Sequence, residues 1–407
     1  MNTQDFIARE NKVSPPTYFP LPVVLCKGKG AWLWDIEGKK YLDMMAAYSA
    51  ISFGHCHPRL VKTLIQQAKK VTLTSRAFHT DQLAPFLEKI CKMSGFEMAI
   101  PMNTGVEAVE TAIKTIRRWG YEVKGIPANQ AEIIVAKNNF HGRTTTVISF
   151  STELAYQRDF GPLTPGFKAI PFGDAKALEQ AITPHTCAFL VEPIQGEAGI
   201  IVPPKGWLKE VREICTKNNV LLILDEVQSG LGRTGKIFAF QHENIHPDGL
   251  ILGKALGGGL LPISLFLSRR EILSHMTPGS HGSTFGGNPL ACAVAYESLC
   301  LLEDEHLDQR SADLGAYMMK RLQKINSPLI KEVRGSGLWI GVEFHKHLVS
   351  AREVCEIMRL KGVLSKDTHE TVVRFAPPLT ITRKEIDFGL KVFEATLKEI
   401  EKAKQLS

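Results

Sequence analysis

No apolar run in this 407-residue chain reaches the roughly 20 residues that a membrane-spanning helix needs, so a transmembrane protein is not expected. The first ten residues lack the apolar core of a secretory signal and include Asp5 and Glu10, acids that transit peptides avoid. The cytoplasm is the expected location. Paired cysteines are missing too: Cys26, Cys56, Cys91, Cys187, Cys215, Cys292, Cys300 and Cys355 show no close spacing. That argues against a disulfide framework and for reduced thiols in an apolar core. Blocks of one charge are also lacking. The 49 Lys and Arg are scattered among 42 Asp and Glu, giving a net charge of +7 without a basic tail or an aromatic-basic module, so nucleic acid is not an expected partner. There is no internal repeat and no low-complexity tract. What is present, 44% hydrophobic and 22% charged residues, is the composition of a globular enzyme long enough for two or three domains.

The expected organisation has three parts. Residues 1–53 form a leading segment with turns at Pro15-Pro16, Pro20 and Pro22 and a hairpin through Ala31 to Gly38. In residues 54–289 short apolar runs alternate with helical spacing. Ile133 to Ala136, Ala188 to Val191, Leu221 to Leu224, Gly249 to Leu252 and Ile263 to Leu267 are separated by patterns such as Trp207, Leu208, Val211, Ile214 and Cys215. Such alternation implies βαβ units and a mostly parallel central sheet, an α/β large domain. In residues 290–407 two long helical stretches precede strands near Leu338 to Val342 and Thr371 to Phe375 and a closing charged helix from about Arg383. This reads as a smaller α+β domain that the leading segment can join.

Two of the apolar runs each end on one ionisable residue. Leu221 to Leu224 runs into Asp225, and Leu250 to Leu252 into Gly253 and Lys254. Ligands of open α/β sheets bind at the carboxyl edge of the strands, so this aspartate and lysine can face one another across a cofactor. Pyridoxal 5'-phosphate requires such a pair: an amine to condense with its aldehyde and a carboxylate to keep its ring nitrogen protonated. Met102-Asn103-Thr104-Gly105-Val106 precedes an amphipathic helix that Asn103 or Thr104 can cap. Gly105 and Val106 offer free amides to the cofactor phosphate, although an ordinary capped helix would look the same. Phe140, after the Ile133 run, can stack on a ring, and Arg143 can clamp a carboxylate; their ordinary readings are a core aromatic and a surface ion pair.

Three motifs point elsewhere. Gly230 to Gly235 fits a dinucleotide fingerprint and, with Lys236, nearly completes a phosphate-binding P-loop, but Ile237 replaces the magnesium-binding hydroxyl and no strong helix follows. His242-Glu243-Asn-Ile-His246 spells a zinc-protease pattern, yet Pro247 follows at once and a surface loop is expected. His55-Cys56-His57 has no further metal ligands nearby in sequence. No metal is expected.

With Asp225, Lys254 and His281-Gly-Ser283-Thr284-Phe-Gly-Gly-Asn288-Pro289 in view, the chain resembles the class III aminotransferases from about Pro15 to Leu379. The likeness also rests on the blocks Leu73 to Phe78, Asn103 to Ala108, Glu192 to Gly199 and Arg374 to Leu379. The resemblance implies a PLP-dependent transferase of fold type I, a large domain with a mostly parallel central sheet plus a smaller α+β domain. It further implies that Lys254 holds pyridoxal 5'-phosphate and moves the proton, while Asp225 faces the ring nitrogen. Gln228 would bond the ring hydroxyl and Phe140 would stack. His141, Val227, Ser283 and Thr284 are also cofactor contacts by resemblance. Thr284 would reach the phosphate of a neighbouring subunit, which implies a homodimer with shared active sites or a higher assembly built on it.

Within the family the likeness is nearest to the branch that moves the terminal amino group of L-ornithine to 2-oxoglutarate. There Arg143 would take the ornithine carboxylate, Tyr18 and Tyr48 would surround its α-carbon end, and Arg374 would receive 2-oxoglutarate after Glu197 releases it. Three positions depart from that branch: His141 stands where tryptophan is usual, and Gly232 and Gly258 replace the frequent alanine and serine. The His-Gly-Arg-Thr and Gly-Leu-Gly-Arg-Thr-Gly forms look closer to acetylornithine aminotransferases. That activity, or another ω-aminotransferase, is the alternative; a nucleotide-dependent enzyme using Gly230 to Lys236 is a more distant one.

Overall fold

In the computed structural model, which describes residues 1–405, the leading segment folds as an antiparallel meander of β1 (Leu25–Lys29), β2 (Trp32–Asp35) and β3 (Lys40–Asp43). The turn between β2 and β3 closes because Asp35 Oδ1 accepts the amides of Glu37 at 3.0 Å and Lys39 at 2.8 Å. Gly38 supplies the positive φ of +83° that such a turn needs.

The large sheet has seven strands: β4 (Met98–Met102), β5 (Glu132–Ala136), β6 (Phe167–Ile170), β7 (Thr186–Val191), β8 (Leu221–Asp225), β9 (Gly249–Leu252) and β10 (Ser264–Ser268). Their spatial order is β4-β10-β9-β8-β7-β5-β6; the five from β9 to β6 are parallel, and β10 runs antiparallel to both β4 and β9. The branched apolar runs form β5, β7, β8, β9 and β10. The other two, β4 and β6, occupy the sheet edges, where Pro101 in β4 is tolerated and a short strand with Lys168 suffices.

Both faces of this sheet are covered, which is why its strands are apolar throughout rather than alternating. Ile133 and Val135 pack with Leu221 and Ile223 under the helix Gly105–Glu122, whereas Ile134, Leu222 and Leu224 join Trp207, Leu208 and Val211 on the opposite face. The period of two along each strand sorts neighbouring residues to the two sides.

Beyond the large sheet, β11 (Ile330–Gly335), β12 (Ile340–Phe344), β14 (Lys366–Thr368) and β15 (Val372–Phe375) form an antiparallel sheet in the order β11-β12-β15-β14. The two-residue β13 (Val363–Leu364) instead pairs in parallel with β3, so the leading meander is completed by a strand from the far end of the chain. The helix Arg383–Ala403 closes the chain; its capping box joins Thr382 and Glu385.

The glycine-rich stretch after β8 serves neither a dinucleotide nor a phosphate. Arg233 within it is fully buried, donating to the carbonyls of Leu338 at 3.0 Å and Pro377 at 2.6 Å and to Ser52 Oγ at 2.9 Å. It ties the loop to both ends of the chain, and the segment that follows is only the 3-10 turn Ala239–Glu243. His242 Nε2 lies 3.1 Å from the Thr234 carbonyl and His246 Nε2 3.1 Å from the Ser94 carbonyl, with left-handed Asn244 between them, so the two rings do not share a helix face. One expectation is corrected: Cys187, Cys215, Cys292 and Cys355 are buried thiols, but Cys26 and Cys56 are exposed. Cys26 sits on an edge strand, and Cys56 itself takes a left-handed φ of +52°. Among the described residues no helix is long and apolar enough to cross a membrane.

Candidate functional site

Because β7, β8 and β9 are parallel neighbours, their carboxyl ends deliver Glu192, Asp225 and Lys254 to one place. These three line a cavity of about 180 Å³ together with Gly105, Val106, Phe140, His141, Val227 and Gln228. Its location, at the end of the parallel strands, is where α/β sheets bind ligands.

Asp225 is buried. Its Oδ2 meets His141 Nδ1 at 2.7 Å, and its Oδ1 accepts the Val227 amide at 3.0 Å. Burial works to lower the His141 pKa, but the hydrogen bond and charge of Asp225 outweigh it and leave the imidazole raised, favouring an ion pair inside the protein. Among the described residues His141 Nε2 is buried without a partner. Lys254 takes a φ of +44°, and burial lowers its pKa despite the charges of Glu197 and Asp225. A lysine so placed loses its proton more readily and becomes a nucleophile.

Sequence reasoning did not single out Glu192. Its Oε2 accepts the Phe140 amide at 3.1 Å and its Oε1 the Gly196 amide at 3.2 Å, so it braces the two loops that flank the cavity. The signal lay in the block Glu192 to Gly199. Burial pushes its carboxyl up from an ordinary 4.5 to about 7. A carboxyl raised by folding stabilises the fold fully below its unfolded pKa and loses that contribution as pH rises through its folded pKa. Relative to the wild type, Glu192→Gln in the cofactor-free protein is therefore expected to gain about 2–4 °C in melting temperature between pH 4.5 and about 7. A difference that stays flat across that range would contradict the assignment.

The helix Gly105–Glu122 begins at the cavity. Thr104, rather than Asn103, caps it: its hydroxyl accepts from the Glu107 amide, and Glu107 reaches back to the Thr104 amide at 2.6 Å. Gly105 and Val106 then stand at the positive end of the helix, where amides face an anion. Gly142 is held at φ +127°, and a Cβ there would come within 2.3 Å of Val106. Only glycine lets the loop after Phe140 approach the helix start so closely.

Around this cavity lie the remaining candidates. Arg374, 3% exposed, donates from Nη1 to Glu197 Oε1 at 2.6 Å. Burial would raise the Glu197 pKa, but the Arg374 charge and hydrogen bond hold it below the ordinary range. The Arg374 guanidinium also stands 4.8 Å from the centre of the Tyr48 ring. Arg143 is exposed and lies 3.6 Å over the ring of Tyr156 and 5.4 Å from that of Phe140, an aromatic bracket that sequence reasoning missed because residue 156 is remote from the Phe140 motif. Tyr48 and the 79% exposed Tyr18 line an adjacent cavity of about 730 Å³ rather than the one with Lys254.

Ser283 accepts from Asn103 Nδ2 at 2.9 Å just outside the helix start. Thr284 is exposed and points to no group of the cavity in its own chain. Tyr48 belongs to an unusual turn in which Ala46, Ala47, Tyr48 and Ser49 all have positive φ. A left-handed turn of residues with a Cβ costs roughly 1–2 kcal/mol per residue.

Residues 13–397 match the family model described as aminotransferase class III. The chain is 56% identical over 397 residues to the ornithine aminotransferase of Halalkalibacterium halodurans, covering 98% of this chain and 99% of the relative. It superposes with a TM-score of 0.98 on the ornithine aminotransferase from Toxoplasma gondii, a structure with partial occupancy of PLP at the active site, at 45% identity over 99% of this chain and 96% of that one. The acetylornithine aminotransferase from Elizabethkingia anophelis is also 45% identical, with a TM-score of 0.89 over 98% of this chain and 100% of that one.

Proposed function

We infer the activity from one premise: this chain belongs to the class III aminotransferases, PLP-dependent enzymes of fold type I. It is an ornithine δ-aminotransferase, moving the terminal amino group of L-ornithine to 2-oxoglutarate and giving glutamate 5-semialdehyde and glutamate. The observation that carries this reading is the pair of arginines, Arg143 without a carboxylate partner among the described residues and Arg374 held at 2.6 Å by Glu197. One pocket can then accept both a diamine with a single carboxylate and a diacid.

The cavity suits pyridoxal 5'-phosphate. Lys254 can bind its aldehyde, Asp225 its ring nitrogen, Phe140 its face, Gln228 its ring hydroxyl, and the amides of Gly105 and Val106 its phosphate, with Gly142 making room for that approach. When bound, this cofactor supplies an electron sink for the substrate carbon that loses a proton. Asp225 keeps the ring nitrogen charged, and His141 at 2.7 Å holds the carboxylate in place. Lys254 Nζ, which burial disposes to give up its proton, takes the proton from the substrate carbon that bears the reacting amine and returns it on the other side of the exchange.

Arg143 holds the ornithine carboxylate away from Lys254 while Tyr18 and Tyr48 shape the space around the α-amine. In the second half of the cycle Glu197 releases Arg374, which binds the carboxylate beside the keto carbon of 2-oxoglutarate. Arg143 then takes the distal carboxylate.

The protein works as a homodimer in the cytoplasm, a reading supported by the exposure of Thr284, beside Ser283 and the 56% exposed Phe285, which would serve the phosphate of a neighbouring subunit. Residues 54–289 hold the cofactor, while residues 290–405, joined by 1–53, form the smaller unit that brings Arg374; residues 406 and 407 of the expected range lie outside the described residues. Stopped-flow spectra with a panel of amines test the donor. L-ornithine should reduce the bound cofactor at least about tenfold more efficiently than N-acetylornithine. The reverse order would assign the acetylornithine activity instead.

A further inference from the structure

We propose that the left-handed turn Ala46–Ser49, locked by Asp43 and His55, is a positioning device that sets the Tyr48 ring against Arg374 and so governs affinity for the dicarboxylic acceptor. This deepens the proposed function and rests on Arg374 receiving a carboxylate.

The four φ values, +47°, +46°, +58° and +74°, belong to residues with a Cβ, which visit this region singly rather than in runs. Such a run persists only where its surroundings over-determine it. Asp43 supplies the first restraint, its Oδ1 accepting the amides of Met45 at 2.9 Å and Ala46 at 2.8 Å. His55 secures that carboxylate from the other side, with Nε2 2.7 Å from Asp43 Oδ2. At the far end the Ile51 amide donates to the Ala46 carbonyl at 3.0 Å and Ser52 Oγ to the Ser49 carbonyl at 2.9 Å.

The turn is also lashed to the strand that carries Arg374. The amide of Ala376, two residues beyond Arg374, donates to the Met44 carbonyl at 2.7 Å. Backbone and side chain thus meet the same partner: the chain before the turn bonds the end of β15, and the ring within the turn stands 4.8 Å from the guanidinium. Glu197 binds that guanidinium at 2.6 Å, so Tyr48 limits where it can go when Glu197 lets go. A right-handed turn over the same residues would send the Tyr48 side chain in another direction and free Arg374 on that side.

The test is steady-state kinetics of the holoenzyme with 2-oxoglutarate varied, using whichever donor amine the wild type takes fastest. Failure of ornithine as donor would thus refute the donor assignment without touching this result. His55→Phe removes the lock while keeping a ring in its place. It should raise KM for 2-oxoglutarate about tenfold while kcat changes less than about threefold. Adding Ala47→Gly, at an exposed position where glycine lowers the cost of the left-handed backbone, should recover at least about threefold of that loss. If His55→Phe does not fold, Ser52→Ala carries the same prediction and the same rescue. A fall in melting temperature with KM unchanged would show a purely structural lock and overturn the proposal, as would a raised KM that glycine does not repair.

Discussion

Lys254→Ala is expected to abolish the borohydride-reducible bond to pyridoxal 5'-phosphate and to lower turnover by about 10⁴-fold. The size of the effect follows from the two duties proposed for one nitrogen: the covalent hold on the cofactor and the proton transfer. Lys254 stands at the end of β9 next to Asp225 at the end of β8, and burial keeps its amine from holding a proton at full strength. Among the described residues no other lysine lines the cavity. Absorbance of the variant with added cofactor and single-turnover kinetics would check both duties. Turnover within tenfold of the wild type would place the chemistry on another group.

Glu197→Ala has the second largest effect, and its signature is a change of preference. With the roles proposed for Arg374 and Glu197, glutamate must displace Glu197 from Arg374, breaking a charged contact of 2.6 Å in a site where Arg374 is almost wholly enclosed. Without Glu197 that displacement is not needed, and an unpaired guanidinium repels the terminal ammonium of ornithine. Both changes push the same way. The ratio of kcat/KM for glutamate over ornithine as donor should rise by about 10- to 100-fold, equivalent to roughly 1.4–2.8 kcal/mol of discrimination. Removing one partner of an enclosed ion pair also destabilises the fold, so melting temperature should fall alongside. An unchanged ratio would refute the switch whatever happens to stability.

The parallel core could be read from the chain because both of its faces are covered, and that demands unbroken branched runs such as Leu221 to Leu224. Edge strands are under no such demand. Met98 to Met102, with its proline, and Phe167 to Ile170 gave no comparable signal. Strand β11 was hidden for a related reason: Lys331 and Glu332 are exposed and break the apolar pattern.

At the candidate site, Asp225 and Lys254 were visible as the single charged residues closing two apolar runs. Which side chains stand against Asp225 was not. That Glu192 stands beside Asp225 depends on β7 lying next to β8, and that His141 bonds Asp225 depends on β5 lying next to β7; spatial order is not written in local pattern. The left-handed turn at Ala46 to Ser49 is still less legible, since nothing in Ala-Ala-Tyr-Ser favours positive φ and only the tertiary bonds of Asp43 and His55 impose it.

The most direct test of the whole account is peptide mapping of the wild-type holoenzyme after borohydride reduction. The account predicts one pyridoxyl-phosphate adduct, on the peptide that contains Lys254. An adduct on any other lysine, or a purified protein that takes up the cofactor and yields none, would contradict it.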